Sequence, residues 1–202
     1  MSLVIHPTYF PNILFFSKIL NHNRIFFEIN DNYIKQSLRN RTLIYHANGI
    51  LNLSVPVKYS SKKKRKFKDI EICNDTNWQN KHFKSIKFAY QGSPYFEFYV
   101  KPFEKIFKKK EKFLIDINLK SIALLFELID RKLEYTFTEK YIEIYNDYTN
   151  SREISNFNFS DKSLSFKKYT QVFETKYGFK ENLSMLDLLF NYGPNYYNFL
   201  VK

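Results

Sequence analysis

Eleven residues with the sequence DNYIKQSLRNR, from Asp31 to Arg41, carry the residue types that bind anions and move protons. The planar guanidinium groups of Arg39 and Arg41 suit carboxylate or phosphate groups, and Lys35 adds a mobile positive charge. Three amide side chains can both donate and accept hydrogen bonds, as sugars require: Asn32, Gln36 and Asn40. Together with Tyr33, the segment has the chemistry of one wall of a site for an anionic small molecule.

The same segment also has a purely structural interpretation. Arg39 and Arg41 could pair with Glu28 and Asp31 inside the protein, because ion-pair networks are common and perturbed charges mark functional sites only in some cases. If residues 39–42 are extended, the two arginine side chains share a face and need a negative partner. Both interpretations stay open at this point, and under the first of them Asp31 is a candidate for proton transfer.

A second candidate catalytic group lies in the stretch WQNKHF. Trp78 and His82 are four residues apart, so they are neighbours on one side of a predicted helix. His82 could act as a general base with its ring held by the indole, or it could be a satisfied histidine of the core. No pair of histidines has the spacing of a zincin site and no Cys/His cluster occurs, so the sequence predicts no metal site.

The elements that must position these residues begin with a βαβ unit. An apolar strand at residues 3–5, a helix beginning at Pro11 and a second strand at residues 25–29 follow one another closely, which predicts two parallel strands. Ligands of open parallel sheets bind beyond the carboxyl ends of the strands, and Asp31 follows such an end. We also expect the helix N terminus to offer free N–H groups to an anion there.

The remaining pattern predicts an α/β fold over a single domain, residues 1–202. Asn48-Gly49 between two alternating runs predicts an antiparallel hairpin. Further strands are predicted at residues 69–72 and 134–146, helices at residues 75–92, 93–110, 117–133 and 183–194, and a long loop or lid at residues 147–170. The expected architecture is a mixed sheet with a parallel βαβ start and an antiparallel hairpin edge, covered by helices in a Rossmann-like three-layer arrangement.

The net charge of +12 has two interpretations. It could serve a nucleic acid or another anionic partner, or it could reflect AT-rich codons, since Lys, Asn, Ile, Phe and Tyr are all abundant. The lysine-rich stretch at residues 61–69 is open to the same two explanations, as a binding patch or as a solvated loop.

Other features of the composition exclude classes of protein. The 4 glycines are not clustered, so neither a GxGxxG fingerprint nor a P-loop is present. Cys73 is the only cysteine, which excludes an intrachain disulfide and fits a reducing compartment. The longest apolar stretch, Ile122 to Phe126, is too short to span a membrane, and no basic region precedes a long apolar run at the N terminus. We therefore expect a cytoplasmic protein.

The order of motifs resembles the WbqC-like protein family, and the closest likeness is to its short members. The resemblance rests on DNYIKQSLRNR, on the NG turn followed by LSVPV, on the series W, H, SI, AY and SPYFEFY, and on QVFETKYGF with LSMLDLLFNYGP. The sequence departs from the family at two points: His6 and Pro7 are adjacent where longer relatives have His-x-Pro, and Leu38 replaces an aromatic residue. The matching positions are Asn32, Tyr33, Lys35, Gln36, Arg39, Asn40, Arg41, Trp78, His82 and Asp187.

The resemblance implies a bacterial cytosolic protein. Some members of the family are encoded in O-antigen or other surface-polysaccharide gene clusters, which implies a transferase or ligase step on an anionic sugar-linked intermediate. The alternative is a non-catalytic basic module that binds nucleic acid or an anionic carrier. The sequence identifies neither a cofactor nor the donor and acceptor.

Overall fold

A computed structural model describes residues 1–61 and 64–201, so Lys62 and Lys63 of the lysine-rich stretch lie outside the described residues. In the described part of the chain six strands form: β1 (Ser2–Ile5), β2 (Arg24–Phe27), β3 (Arg41–His46), β4 (Gly49–Ser54), β5 (Thr136–Phe137) and β6 (Tyr148–Asn150). The helices are α1 (Ile13–Leu20), α2 (Trp78–Tyr90), α3 (Phe96–Lys108), α4 (Leu114–Leu128), α5 (Glu174–Tyr177) and α6 (Met185–Tyr192).

The central sheet has the strand order β5-β2-β1-β6, and every pairing in it is parallel. The register of its two inner strands pairs Ser2 with Arg24 and Ile5 with Phe27. β1 is apolar from Leu3 onwards and completely buried there, as expected of an inner parallel strand covered on both faces. The predicted α/β fold with a parallel βαβ start is confirmed, and the architecture is consistent with three layers.

The crossover helix α1 begins at Ile13 because Asn12 caps it: the Asn12 side chain accepts a hydrogen bond from the backbone N–H of Phe15 at 2.9 Å. Almost all of its side chains are buried, so the helix has little solvent-facing surface. Residue Ser184, at the start of α6, forms an isolated antiparallel bridge with Asn12. The two helix starts are thereby held together at one end of the sheet.

The predicted hairpin β3–β4 forms, with Ala47 and Asn48 as the turn between the paired residues His46 and Gly49. Gly49 has a φ of 96°, which favours glycine. The hairpin forms a two-stranded sheet of its own instead of joining the parallel sheet at its edge. The hairpin is bonded directly to the segment Asp31 to Arg41, because the backbone N–H of Val55 donates to the carbonyl of Asn40 at 2.8 Å.

Three local predictions are wrong. Residues 69–72 do not form a strand: a 3₁₀ turn (Phe67–Asp69) is followed by isolated bridges at Glu71 and Ile72. Of residues 134–146 only β5 is a strand. The predicted loop at residues 147–170 contains β6 and a 3₁₀ turn (Arg152–Ser155). Local patterning does not decide these segments, because a strand forms only where a remote segment pairs with it.

Aromatic residues fill the core, which explains much of their abundance. Phe103 of α3 lies between Phe10 and Phe190, with ring centroids 5.8 and 5.4 Å away. Among the described residues, no helix combines the length and the apolar character needed to cross a lipid bilayer.

Candidate functional site

A cleft of about 290 Å³ lies where three parallel strands end, and we call it the Asp31 cleft. His6 directly follows β1, Asp31 lies four residues after β2, and Arg152 lies two residues after β6. Because the strands run in the same direction, these residues meet at one edge of the sheet. The polar side chains that line the cleft are His6, Asp31, Arg39, Asn150, Arg152, Glu153 and Asn156.

One carboxylate oxygen organises the cleft. Asp31 Oδ2 lies 3.0 Å from Nε2 of His6 and 3.7 Å from Nη2 of Arg39. The other oxygen, Oδ1, accepts the backbone N–H of Asn32 at 2.6 Å. The Asp31 side chain is 19% exposed and the His6 side chain only 4%, so the carboxylate is the part of this pair that a ligand in the cleft can reach.

The His6 ring has a hydrogen-bond acceptor beside each nitrogen. Nε2 faces Asp31, while Nδ1 lies 3.1 Å from the carbonyl of Arg152 and 3.0 Å from Oγ of Ser155. Burial lowers the pKa of His6 from 6.5 to about 4 against the opposing effect of the Asp31 hydrogen bond, so the ring is neutral near pH 7. His6 and Asp31 can nevertheless share an added proton. If both ring nitrogens of His6 carry a proton, each of them has an acceptor within hydrogen-bond distance.

The charges of Asp31 and Arg39 depend on each other. Burial works to raise the pKa of Asp31, but its hydrogen bond with His6 and the nearby positive charges outweigh that effect and lower the pKa below 3.8. Burial lowers the pKa of Arg39, and the Asp31 carboxylate opposes this shift. The Arg39 side chain is completely buried, donates from Nη1 to the carbonyl of Asn32 at 2.9 Å, and lies over the Phe67 ring at 5.5 Å.

Arg152 brings a second guanidinium to the cleft. It donates to the carbonyls of Ile142 and Glu143 at 2.9 and 2.6 Å, and it lies between the rings of Tyr141 and Tyr145 at 5.0 and 5.2 Å. Among the described residues it has no carboxylate within 4.0 Å. Neutral carbonyl partners hold the side chain in place without cancelling its charge, while the exposed carboxylate of Glu153 lines the cleft as well.

The lysine-rich stretch runs beside the site segment. The backbone N–H of Tyr33 donates to the carbonyl of Arg65 at 2.8 Å, and that of Phe67 donates to the carbonyl of Asp31 at 2.9 Å. The exposed side chains of Lys64 and Lys66 therefore add positive potential close to the cleft.

The other predicted residues of the segment take different positions. Lys35 and Gln36 are exposed at its tip, and Asn32 is exposed next to Asp31. Tyr33 stacks on Phe67, with ring centroids 6.4 Å apart, and burial raises its pKa to about 12. Asn40 is buried, where its Nδ2 donates to the carbonyl of Val55, so it connects the segment to the hairpin.

Arg39 and Arg41 do not share a face. Residues 37–40 form a turn closed by the N–H of Asn40 and the carbonyl of Ser37, so the extended backbone assumed for residues 39–42 begins only at Arg41. Arg39 lines the Asp31 cleft, whereas Arg41 lines a neighbouring cavity of about 230 Å³, which we call the Arg41 cavity. Asn156 lies in the wall of both. The structural interpretation holds for Arg39 with Asp31, but Glu28 is bound instead by Thr138 and the N–H of Asn30.

The prediction that the α1 N terminus offers free N–H groups is wrong. Its first three N–H groups already have acceptors in the protein: Ile13 donates to the carbonyl of Leu183, Leu14 to Oδ1 of Asn182, and Phe15 to Oδ1 of Asn12. The helix end is thus satisfied by capping, and an anion in either cavity must be bound by side chains.

Trp78 and His82 are neighbours, as predicted, with ring centroids 5.1 Å apart, but they lie in a buried aromatic cluster outside the Asp31 cleft. Nδ1 of His82 is 2.9 Å from the hydroxyl of Tyr9. Burial lowers the pKa of His82 from 6.5 to about 4. The structure therefore does not bring His82 together with Asp31, Arg39 or Arg152.

Sequence reasoning missed His6 and Arg152 as members of the site. His6 could have been found as a titratable residue directly after a buried strand, because Asp31 was predicted from the same kind of position. Arg152 follows a strand that the local pattern does not predict, so no comparable signal existed. Among the described residues, no group of three His, Cys, Asp or Glu side chains could hold a metal ion.

Acid is expected to destabilise the protein between pH 6.5 and 4. In this range the unfolded chain takes up a proton at both His6 and His82 that the folded protein does not bind, because burial lowers both pKa values to about 4. The free energy of unfolding therefore falls as the pH drops, by up to about 1.4 kcal/mol per pH unit for each histidine. Asp187 acts in the opposite sense, since burial raises its pKa from 3.8 to about 6 and the folded protein binds the extra proton.

Urea denaturation between pH 4 and pH 8 measures these contributions. His82→Gln should flatten the loss of stability between pH 6.5 and 4. Asp187→Asn should steepen it below pH 6, because the compensating proton uptake disappears. Identical slopes in the two variants and the original protein would contradict the assigned pKa shifts.

The comparison with protein families gives one match. A model of the WbqC-like protein family matches residues 6–154, which is more than half of the chain. The matched region begins at His6 and contains Asp31, Arg39 and Arg152, whereas the later motifs QVFETKYGF and LSMLDLLFNYGP lie beyond it. No curated protein and no solved structure matches the chain.

Proposed function

The chain belongs to the WbqC-like protein family, and we propose that it is a group transferase or ligase that acts on an anionic sugar-linked intermediate of bacterial surface-polysaccharide synthesis, with the Asp31 cleft as its reaction centre. The observation that carries this proposal is the shared contact of Asp31 Oδ2 with His6 and Arg39 at the mouth of the cleft. Ionisable groups with shifted pKa values that converge in a cleft at strand ends are typical of reaction centres.

In the proposed reaction Asp31 is the catalytic residue. It accepts the proton of the attacking hydroxyl or amine of the acceptor substrate. The oxygen or nitrogen of the acceptor bonds to the transferred group as the bond from that group to the donor's leaving group breaks, and the leaving group departs with the bonding electrons. His6 is a positioning residue, because both of its ring nitrogens contact protein groups and its side chain is almost completely buried. It fixes the orientation of the carboxylate and helps to hold the arriving proton.

The anionic part of the substrate is proposed to bind beside Arg152. The charge of Arg152 has no carboxylate partner among the described residues, whereas the charge of Arg39 is already offset by Asp31. Lys35, Lys64 and Lys66 are exposed nearby on the same segment or on the stretch paired with it, and would attract an anion towards the cleft. The exposed amides of Asn32 and Gln36 would orient the sugar hydroxyl groups.

A thermal-shift screen against nucleotide sugars, followed by mass spectrometry of mixtures with hydroxyl and amine acceptors, tests the proposal. A ligand at 100 times its Kd stabilises the protein by about 2.7 kcal/mol. Arg152→Gln should abolish that stabilisation, while Arg131→Gln, which removes an exposed arginine outside the cleft, should keep it. Asp31→Asn should still bind the ligand but lower turnover by about 100-fold or more.

Two results would contradict the proposal. One is turnover by Asp31→Asn at the original rate, measured below the melting temperature of the variant. The other is ligand-induced stabilisation that is equal in Arg152→Gln and Arg131→Gln, since a cleft that binds the anion must distinguish the two arginines.

A further inference from the structure

The Arg41 cavity contains polar groups that the folded protein leaves without partners. The buried Nε of Arg41 has no hydrogen-bond partner among the described residues. Thr8, also in the cavity wall, is 2% exposed and its hydroxyl has no partner among the described residues. Both atoms are covered in the ligand-free protein. Unsatisfied buried donors cost free energy, so this wall is suited to a ligand towards which both side chains turn.

The orientation of Arg41 favours a carboxylate. Its guanidinium lies over the Phe157 ring at 5.4 Å, so the aromatic ring covers one face of the plane. The edge formed by Nε and the neighbouring terminal nitrogen is the side that binds a carboxylate through two parallel hydrogen bonds. A pair of parallel hydrogen bonds to a carboxylate requires that the Nε–H group of Arg41 has no partner within the protein, as is the case here.

Part of the wall is apolar, and the rest is polar. The aliphatic and aromatic side chains that line it include Leu14, Leu38, Ile154, Phe159, Leu164 and Phe166. A cavity of this size and lining accommodates a small apolar group next to the Arg41 fork.

Two acids also line the cavity, and they change which ligand fits. Asp161 and Glu181 are both exposed, and neither lies within 4.0 Å of Arg41. Asp161 holds a proton only at low pH, because hydrogen bonds from Ser163 lower its pKa. With one cation and two anions in its wall, the cavity disfavours a simple anion such as phosphate and favours a ligand that also carries an ammonium group.

The backbone of the cavity wall is strained at one residue. Phe10 has a φ of 38°, which a bulky residue rarely adopts, and is held there by three hydrogen bonds. Ser121 accepts its N–H at 3.0 Å, and the hydroxyls of Thr42 and Ser184 donate to its carbonyl at 2.7 and 2.9 Å. This conformation takes the chain around the cavity between Thr8 and Asn12, the kind of feature that clusters at ligand sites.

We propose that the Arg41 cavity binds an apolar amino acid. The carboxylate binds the Nε edge of Arg41 and the Thr8 hydroxyl, the side chain contacts the apolar wall, and the ammonium group faces Asp161 and Glu181. This site goes beyond the proposed function of the Asp31 cleft and does not depend on it. Asn156 lies in both walls, so a bound amino acid would sit next to the proposed reaction centre.

Isothermal titration calorimetry with three probes tests each part of the ligand. L-leucine carries all three groups, 4-methylpentanoate lacks the amine, and 3-methylbutylamine lacks the carboxylate. Leucine should bind more tightly than either of the others. Arg41→Gln should weaken leucine binding by about tenfold to a hundredfold, the range for a charge-assisted hydrogen bond, while Arg131→Gln should not change it.

Two further variants separate binding from folding. Thr8→Val keeps the shape of the side chain, so the ligand-free protein should be as stable as before or more stable, yet leucine binding should weaken. Combining Asp161→Asn with Glu181→Gln should weaken binding of leucine but not of 4-methylpentanoate.

The proposal is overturned if leucine fails to bind at millimolar concentration, if folded Arg41→Gln binds it as tightly as the original protein, or if 4-methylpentanoate binds as well as leucine. None of these measurements depends on turnover. Their outcome therefore does not decide whether the Asp31 cleft is a reaction centre.

Discussion

Replacing Arg39 by alanine is expected to lower the free energy of unfolding by about 3 kcal/mol. The side chain is completely buried, and its removal leaves the carbonyl of Asn32 without its donor and opens a space against Phe67. Breaking a buried ion pair costs about 3–5 kcal/mol, and we expect the lower end because the surviving Asp31 carboxylate keeps His6 and some contact with solvent.

Asp31→Ala should cost at least as much, because it leaves the cation of Arg39 buried without a compensating charge. In urea denaturation the double variant should be more stable than the sum of the two single losses implies, with a coupling of about 0.5–3 kcal/mol. Arg131→Ala is the matched control and should change stability by no more than about 0.5 kcal/mol. Additive losses would show that Arg39 is buried for reasons unrelated to Asp31.

Phe103→Ala is expected to lower the free energy of unfolding by about 3–5 kcal/mol. Phe103 is completely buried on α3 and lies between Phe10 and Phe190, so its loss leaves a cavity bounded by rings that cannot easily collapse. Because Phe10 is also in the wall of the Arg41 cavity, the same variant should loosen that wall.

Phe98→Ala provides the control on the same helix. Its side chain is 77% exposed, so the identical substitution should change the free energy of unfolding by about 0.5 kcal/mol or less. Chemical denaturation of both variants gives the comparison. Equal losses would mean that α3 presents the opposite face to the core.

Two cationic groups of one short segment lie in different places, with Arg39 in the Asp31 cleft and Arg41 in the Arg41 cavity. Arg39 is committed to Asp31 and contributes mainly by holding that carboxylate ionised and in place. Arg41, two residues later, has no ion pair among the described residues and can bind a ligand directly. The proposed transferase or ligase would need sites for two reactants, and the two adjacent cavities that share Asn156 would suit that proposal.

Features that depend on neighbouring residues can be predicted from the amino-acid sequence. The parallel start follows from a strand, a helix and a strand in close succession, and the hairpin follows from Asn48-Gly49. These two signals were enough to predict that the segment beginning at Asp31 emerges at the carboxyl end of a parallel strand. They were also enough to predict the fold class.

Tertiary structure alone decided which side chains meet there. Arg152 reaches the cleft because β6 pairs with β1, with Tyr148 opposite Ser2, and a strand of three residues has no periodicity to reveal it. The turn at residues 37–40 is held to a remote segment by the N–H of Leu38, which donates to the carbonyl of Ser155, and the capping of α1 by Asn182 is also a distant contact. Local pattern specifies helices, strands and turns, whereas burial and the partner of each polar group are fixed only when remote segments pack together.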